Sequence, residues 1–268
     1  MLAALVSTAV LALGAQAPPQ EQTATAGQVT ARITWKGEFP SARDLRITID
    51  RAGGRLVDEE PDTRACGRCL SPHEDALRVL DLDGDAEPEV LLDGTTGGAH
   101  CCNVTLVYRF DGTGYRRIER FWGNQGYVLE DLDGDARPEL NGRDDLFSYV
   151  YGAYAESMPP ALVLALRHGR LRDVTRSYPD LLRADARYAL ARYRRLARSR
   201  HGNVRPALAL YDAAQHRLGR PARSHRLLRS ALRRGLLARR SRFDFKPFGR
   251  AYIRDLHRRL RRGGHITP

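Results

Sequence analysis

Lysine is almost missing from this 268-residue chain: Lys36 and Lys246 are the only two among 44 basic residues. Arginine supplies the rest, a bias that a GC-rich genome explains as well as any need for guanidinium chemistry. No basic residue precedes Arg32, so the apolar run from Leu2 to Leu13 lacks the positive n-region of an export signal. The run is too short to persist as a membrane-spanning helix, and no transmembrane segment is expected in the mature chain. It ends in Ala15-Gln16-Ala17, the small-x-small pattern that signal peptidase reads. We expect a signal peptide over residues 1–17, cleaved near Ala17, and a secreted or envelope-associated protein; the competing reading is a buried N-terminal helix. No cysteine follows the cleavage point before Cys66, which argues against a lipid anchor there. G-x-S-x-G, H-E-x-x-H and Walker motifs are all lacking, which removes the commonest signatures of serine hydrolases, zinc proteases and nucleotide-binding proteins.

Charge is present in abundance but unevenly divided. Residues 181–268 carry 25 basic and four acidic residues, a net of +21, while the rest of the chain nets −9. The overall +12 averages an acidic front and a basic back. The back has helical texture. Leu182, Ala186, Ala189 or Leu190, Tyr193 and Ala197 fall at helical spacing. Pro206 and Pro221 stand early in two further segments that end near Gly219 and Gly235, and a last helix follows Pro247. Four such helices can pack as two antiparallel pairs.

The front reads as β structure. "LRITIDRAGGRLVDE", "TLVYRFDGTGYRRIE" and "LVLALRHGRLRDVT" each alternate apolar residues around a glycine-bearing turn, as hairpins do. Between them stand two acidic knots, "DLDGDAEPE" from Asp81 and "DLDGDARPE" from Asp131, each flanked by short strands (residues 76–80 and 127–130 before them). Strand, acidic turn, strand, loop and hairpin make four strands in about 50 residues, the arithmetic of a propeller blade. A leading half-unit and two full units are expected before residue 180.

In the first knot Asp81, Asp83, Asp85 and Glu89 stand at positions 1, 3, 5 and 9, with Glu87 able to offer a backbone carbonyl at 7. In the second these places fall to Asp131, Asp133, Asp135 and Glu139, with Arg137 at 7. Several oxygens converging from one short loop suit a hard cation, Ca²⁺ above all; a metal-free turn stiffened by Pro88 or Pro138 is the alternative. The pattern resembles the D-x-D-G-D loops of FG-GAP and VCBS repeats, the blades of integrin-like β-propellers. That resemblance, over roughly residues 45–175, implies calcium in the loops and a binding surface on the blades. Ala86 and Ala136 replace the family's usual glycine at position 6, and glutamate replaces aspartate at 9. Two and a half units cannot close a ring of 4–8 blades. The expected fold is therefore α+β: a partial or open propeller-like antiparallel β domain over residues 18–177, then a basic all-α domain over 178–268.

The four cysteines lie at Cys66, Cys69, Cys101 and Cys102. In an exported chain they are expected to form two structural disulfides, tying Cys66 and Cys69 to Cys101 and Cys102, although sequence permits three pairings. A zinc site on these cysteines and His100, or a redox C-x-x-C, are the rivals. "GGAHCC" after a "GDxxPEV" strand is also similar to a signature of exported bacterial proteins with no assigned activity. The favoured reading is an exported, non-catalytic module with an unidentified protein or glycan ligand. The alternatives are a secreted hydrolase around His100 and Asp144–Asp145, and an anionic-polymer binder acting through the C-terminal arginines. The polymer would be a cell-wall polymer, nucleic acid or acidic lipid, held weakly and without specificity.

Overall fold

The computed structural model describes residues 19–64, 66–98, 101–239 and 245–266. The expected signal peptide, His100 and the side chain of Cys101 lie outside the described residues. Among the described residues twelve strands form three four-stranded sheets, each an antiparallel meander in chain order. The first holds β1 (Gln20–Ala26), β2 (Val29–Lys36), β3 (Arg43–Arg51) and β4 (Gly54–Glu59). The second holds β5 (Ser71–Leu80), β6 (Glu89–Gly98), β7 (Cys101–Phe110) and β8 (Tyr115–Gly123). The third holds β9 (Tyr127–Glu130), β10 (Glu139–Arg143), β11 (Ala161–Arg167) and β12 (Arg170–Asp173). The leading half-unit expected from sequence is thus a complete sheet. Its missing strands are β1, whose "QEQTATA" offers little apolar signal, and β2, where Val29, Ala31, Ile33 and Trp35 alternate inward.

The period-2 alternation of strands lets the second sheet bury both faces. Val90, Leu92, Val104, Leu106 and Tyr108 meet Ile33, Ile47 and Ile49 of the first sheet. Leu91 and Val107, on the opposite face, meet Leu166 and Leu129 of the third. Trp122 joins Leu140, Leu162 and Leu164 beside them. The sheets therefore stack in chain order, one upon the next.

Four helices follow: α1 (Pro179–Arg198), α2 (Arg205–Arg217), α3 (Pro221–Arg233) and α4 (Gly249–Arg262). Proline occupies the first turn of α1, α2 and α3, where its missing N–H costs nothing. The second helix lies at the centre of the group. Nearly every residue of α2 is buried, and α1, α3 and α4 all contact it. The alanines of "RPALALYDAAQHR" allow that close approach from several sides. The helical core also takes in Phe147, Tyr151 and Met158 from the loop joining β10 and β11. Arg143–Asp185 (2.7 Å), Arg217–Asp173 (2.8 Å) and Tyr151–Asp255 (3.0 Å) tie the two parts together. Among the described residues no helix is long and apolar enough to cross a membrane.

Candidate functional site

Each acidic knot is the turn between the first and second strands of its sheet, and both are built alike. Asp81 accepts hydrogen bonds from the backbone N–H of Gly84 (2.7 Å) and Ala86 (2.9 Å). Asp131 accepts the same pair from Gly134 (2.8 Å) and Ala136 (3.0 Å). At the ninth position Glu89 accepts from Leu82 N–H (2.9 Å), and Glu139 from Leu132 N–H (3.2 Å). The first aspartate thus shapes the loop, and the glutamate pins its far end into the sheet. Ala86 and Ala136 adopt the left-handed backbone that a glycine at position 6 would supply (φ 67° and 63°).

The loops bring most of the sequence candidates together. Carboxylate oxygens of Asp81, Asp83 and Asp85 lie within 4.8 Å of one another, as do those of Asp131, Asp133 and Glu139. Two candidates turn away. Glu87 gives both carboxylate oxygens to Arg51 at the end of β3 (2.8 and 2.7 Å). Asp135 is held by Arg137 of its own loop (2.8 Å), whose guanidinium keeps that carboxyl below the usual range. The stem of Arg137 meanwhile lies over Gly84, where a β-carbon would stand 2.6 Å away. The two knots are therefore neighbours at the same end of the stacked sheets.

Arginines from the third strand of each sheet are the residues that sequence reasoning missed. Arg109 on β7 approaches Asp83 (3.4 Å), Asp85 (2.9 Å) and Glu89 (3.7 Å). Arg167 on β11 stands 3.6 Å from Glu139 and 3.9 Å from Asp135. Arg51, the corresponding residue of β3, serves Glu87 across the sheet boundary and covers the Phe110 ring. A signal was available: these three arginines recur 58 residues apart, twice. Their guanidinium groups answer part of the acidic charge but not all of it. Asp83 Oδ1, Glu89 Oε1 and Glu139 Oε1 are buried without a hydrogen-bond partner. Burial, reinforced by Asp83 and Asp85 and opposed by Leu82 N–H and Arg109, pushes the Glu89 carboxyl up to about 8.

A cleft of about 480 Å³ opens beside the second sheet, lined in part by His73, Glu74, Asp75, Asn103, Trp122 and Tyr127. At its base Asp93 accepts from Tyr127 Oη (3.0 Å) and Thr105 Oγ1 and pairs with Arg78. Trp122 Nε1 donates to the same Thr105 (2.9 Å), and its ring stacks on Tyr127. The cleft thus has a hydrogen-bonded polar floor beside a stacked aromatic pair.

The cysteine expectation is corrected. Cys66 pairs with Cys69, their Cα atoms 5.6 Å apart, and does not reach across to the 101–102 pair. Reciprocal backbone bonds between Thr63 and Gly67 (2.7 Å each) fold the chain back locally and bring the two cysteines together. Cys102 is also disulfide-bonded. The carboxylates of the hydrolase alternative are committed elsewhere: Asp144 pairs with His265 (2.8 Å), and Asp145 accepts from Asn124 N–H (3.1 Å).

No family model and no solved structure matches this chain. A protein of Sinorhizobium fredii described as uncharacterised is 33% identical over 131 residues, which is 48% of this chain and 20% of the relative. A probable thylakoid lumen protein of Synechocystis is 38% identical over 103 residues, covering 37% of this chain and 30% of the relative. The chain thus spans under a third of the length of these curated relatives, and is similar to each in part only.

Proposed function

We propose that this is an exported, non-catalytic binding module, secreted or envelope-associated after cleavage near Ala17. Three meanders of the FG-GAP/VCBS kind form an open stack, calcium stiffens their acidic loops, and the Asp93–Tyr127 cleft receives a protein or glycan ligand. The observation that carries this reading is the duplicated loop, with the same backbone bonds and converging carboxylates in both copies. Export is supported by likeness to a probable thylakoid lumen protein and by the Cys66–Cys69 disulfide, a bond suited to oxidising compartments. In the calcium-free protein Arg109 and Arg167 act as internal counter-ions. Asp81, Asp83 and Asp85 in one loop, and Asp131, Asp133 and Glu139 in the other, would hold calcium, which would supply the remaining positive charge.

Thermal melting of chelator-stripped protein across a CaCl₂ series tests the loops. Binding to the folded state alone stabilises by about 2.7 kcal/mol at a hundredfold excess over Kd. The joint variant Asp83→Asn and Asp133→Asn keeps the turn-forming aspartates and should lose that response. Superimposable wild-type curves with and without calcium would leave the loops as metal-free turns.

One observation favours a second reading, the anionic-polymer binder. On α3 Arg223, Arg226, Arg229 and Arg233 are all exposed.

A further inference from the structure

A helix enclosed on all sides should be apolar, yet α2 carries Asp212 and His216 one turn apart in its interior. Asp212 is 0% exposed, and neither carboxylate oxygen has a hydrogen-bond partner. An ionised carboxylate in that setting is strongly disfavoured unless a positive charge meets it. What faces it are imidazoles. His216 Nε2 lies 3.4 Å from Oδ1, and His257 Nε2 of α4 lies 3.2 Å from Oδ2. Both ring nitrogens are themselves buried without a hydrogen bond. His225 of α3 completes the group. The three ring centroids lie 5.4, 5.5 and 6.0 Å apart, with planes inclined at 64°, 57° and 78° to one another. One ligand atom from each of the four residues can be chosen so that all lie within 4.8 Å of one another.

Mutual repulsion makes three protonated imidazoles a poor answer to one carboxylate. Burial holds His216 below the ordinary imidazole range, with Asp212 opposing and His225, His257 and Arg176 adding to the depression. Neutral imidazoles offer lone pairs, which a divalent metal accepts while neutralising Asp212. The donor set decides which metal. Calcium asks for six to eight oxygens, whereas three imidazole nitrogens and one carboxylate oxygen suit a borderline ion in tetrahedral geometry. Metal–ligand bonds of about 2.0–2.1 Å place tetrahedral neighbours about 3.3 Å apart; the two measured contacts are of that length but reach different Asp212 oxygens, so one carboxylate oxygen binds after a small turn of the Asp212 side chain. We propose that Asp212, His216, His225 and His257 form a four-coordinate zinc site that clamps α2, α3 and α4 together. Four protein ligands leave no open position, so the site is structural and not catalytic. It is independent of the acidic loops and of the cysteines.

The experiment uses the full mature chain without a histidine tag, stripped with chelator under non-reducing conditions and dialysed against ZnCl₂ or CoCl₂. One zinc per chain is expected, retained against millimolar CaCl₂, together with the intense visible absorption of tetrahedral cobalt. Asp212→Asn and His257→Gln should each weaken zinc binding by at least about 100-fold, while His201→Gln, at an exposed position outside the cluster, leaves it unchanged. His225→Gln, at a half-buried position, provides a variant for the case in which Asp212→Asn fails to fold. Folded wild-type protein that retains no zinc, a weak octahedral cobalt spectrum, or binding that survives both His225→Gln and His257→Gln would overturn the proposal.

Discussion

Ala86 and Ala136 hold φ values of 67° and 63°, a left-handed backbone that costs an L side chain about 1–2 kcal/mol. The cost is sustained because the preceding aspartate at position 1 has already committed its carboxylate to the local N–H groups. Glycine removes the strain but adds freedom to the unfolded chain. Ala136→Gly should therefore raise stability by up to about 1 kcal/mol, read as a shift of the urea midpoint at constant slope. The aspartate ladder and the odd alanines were legible in the sequence because their spacing is local. The arginines that serve the loops were legible only as a 58-residue recurrence, not as partners of these carboxylates. Arg109 lies 24 residues from Asp85, and a basic residue at a strand end reads in one dimension as a solvated terminus. His216, His225 and His257 share that difficulty, since only helix packing makes them neighbours.

The turn after α4 carries the clearest pH signature among the elements. Arg217 Nε donates to His265 Nδ1 (2.7 Å), so Nε2 bears the hydrogen and donates to Asp144 (2.8 Å). The imidazole is neutral, and burial holds its pKa below the ordinary imidazole value of about 6.5 despite the opposing pull of Asp144. The unfolded chain then binds a proton more readily than the folded one. This group's contribution is complete above pH 6.5 and is lost as pH falls below that value toward the folded pKa. The slope is up to about 1.4 kcal/mol per pH unit. His265→Gln should flatten that acid limb while costing about 1–3 kcal/mol at neutral pH through the broken hydrogen bonds; denaturant melts from mild acid to neutrality compare the two. The elements themselves were largely legible. The three glycine-turn hairpins are β3–β4, β7–β8 and β11–β12, and the prolines marked the starts of α2 and α3 within a residue. β1 escaped because an edge strand of Gln, Glu, Thr and Ala needs no apolar run, and its pairing with β2 is largely backbone work.

For the molecule as a whole, the split between acidic sheets and basic helices raises the question of where the arginines go. Some are internal: Arg217 is buried and reaches Asp173, and Arg205 is buried at the start of α2. The exposed row on α3 is one part free to meet a polyanion in solution, beside further exposed arginines on α1 and α4. Removing the helices is not a clean test, since Phe147, Tyr151 and Met158 share their core. Changing Arg223, Arg226, Arg229 and Arg233 together to glutamine is. With duplex DNA as the probe, the salt dependence of log K should become shallower by up to about 3.6 if all four meet phosphates. Equal elution of the two proteins across a salt series would make the row a solvated face. The arrangement of layers was the least legible scale. Period-2 alternation says that Leu91 and Leu92 point oppositely, but not that separate sheets await each of them.

Stacking in chain order has a consequence for how the protein is made. Every sheet pairs only strands that are consecutive in the chain, so loop closures are short and contact order within a layer is low. A chain emerging N-terminus first can finish one meander before the next is synthesised or translocated. The apolar face formed by Val29, Ile33, Ile47 and Ile49 then waits uncovered until β5, β6 and β7 arrive. The first meander is the part most in need of protection, and assembly is complete only when His265, at the far end of the described chain, reaches Asp144.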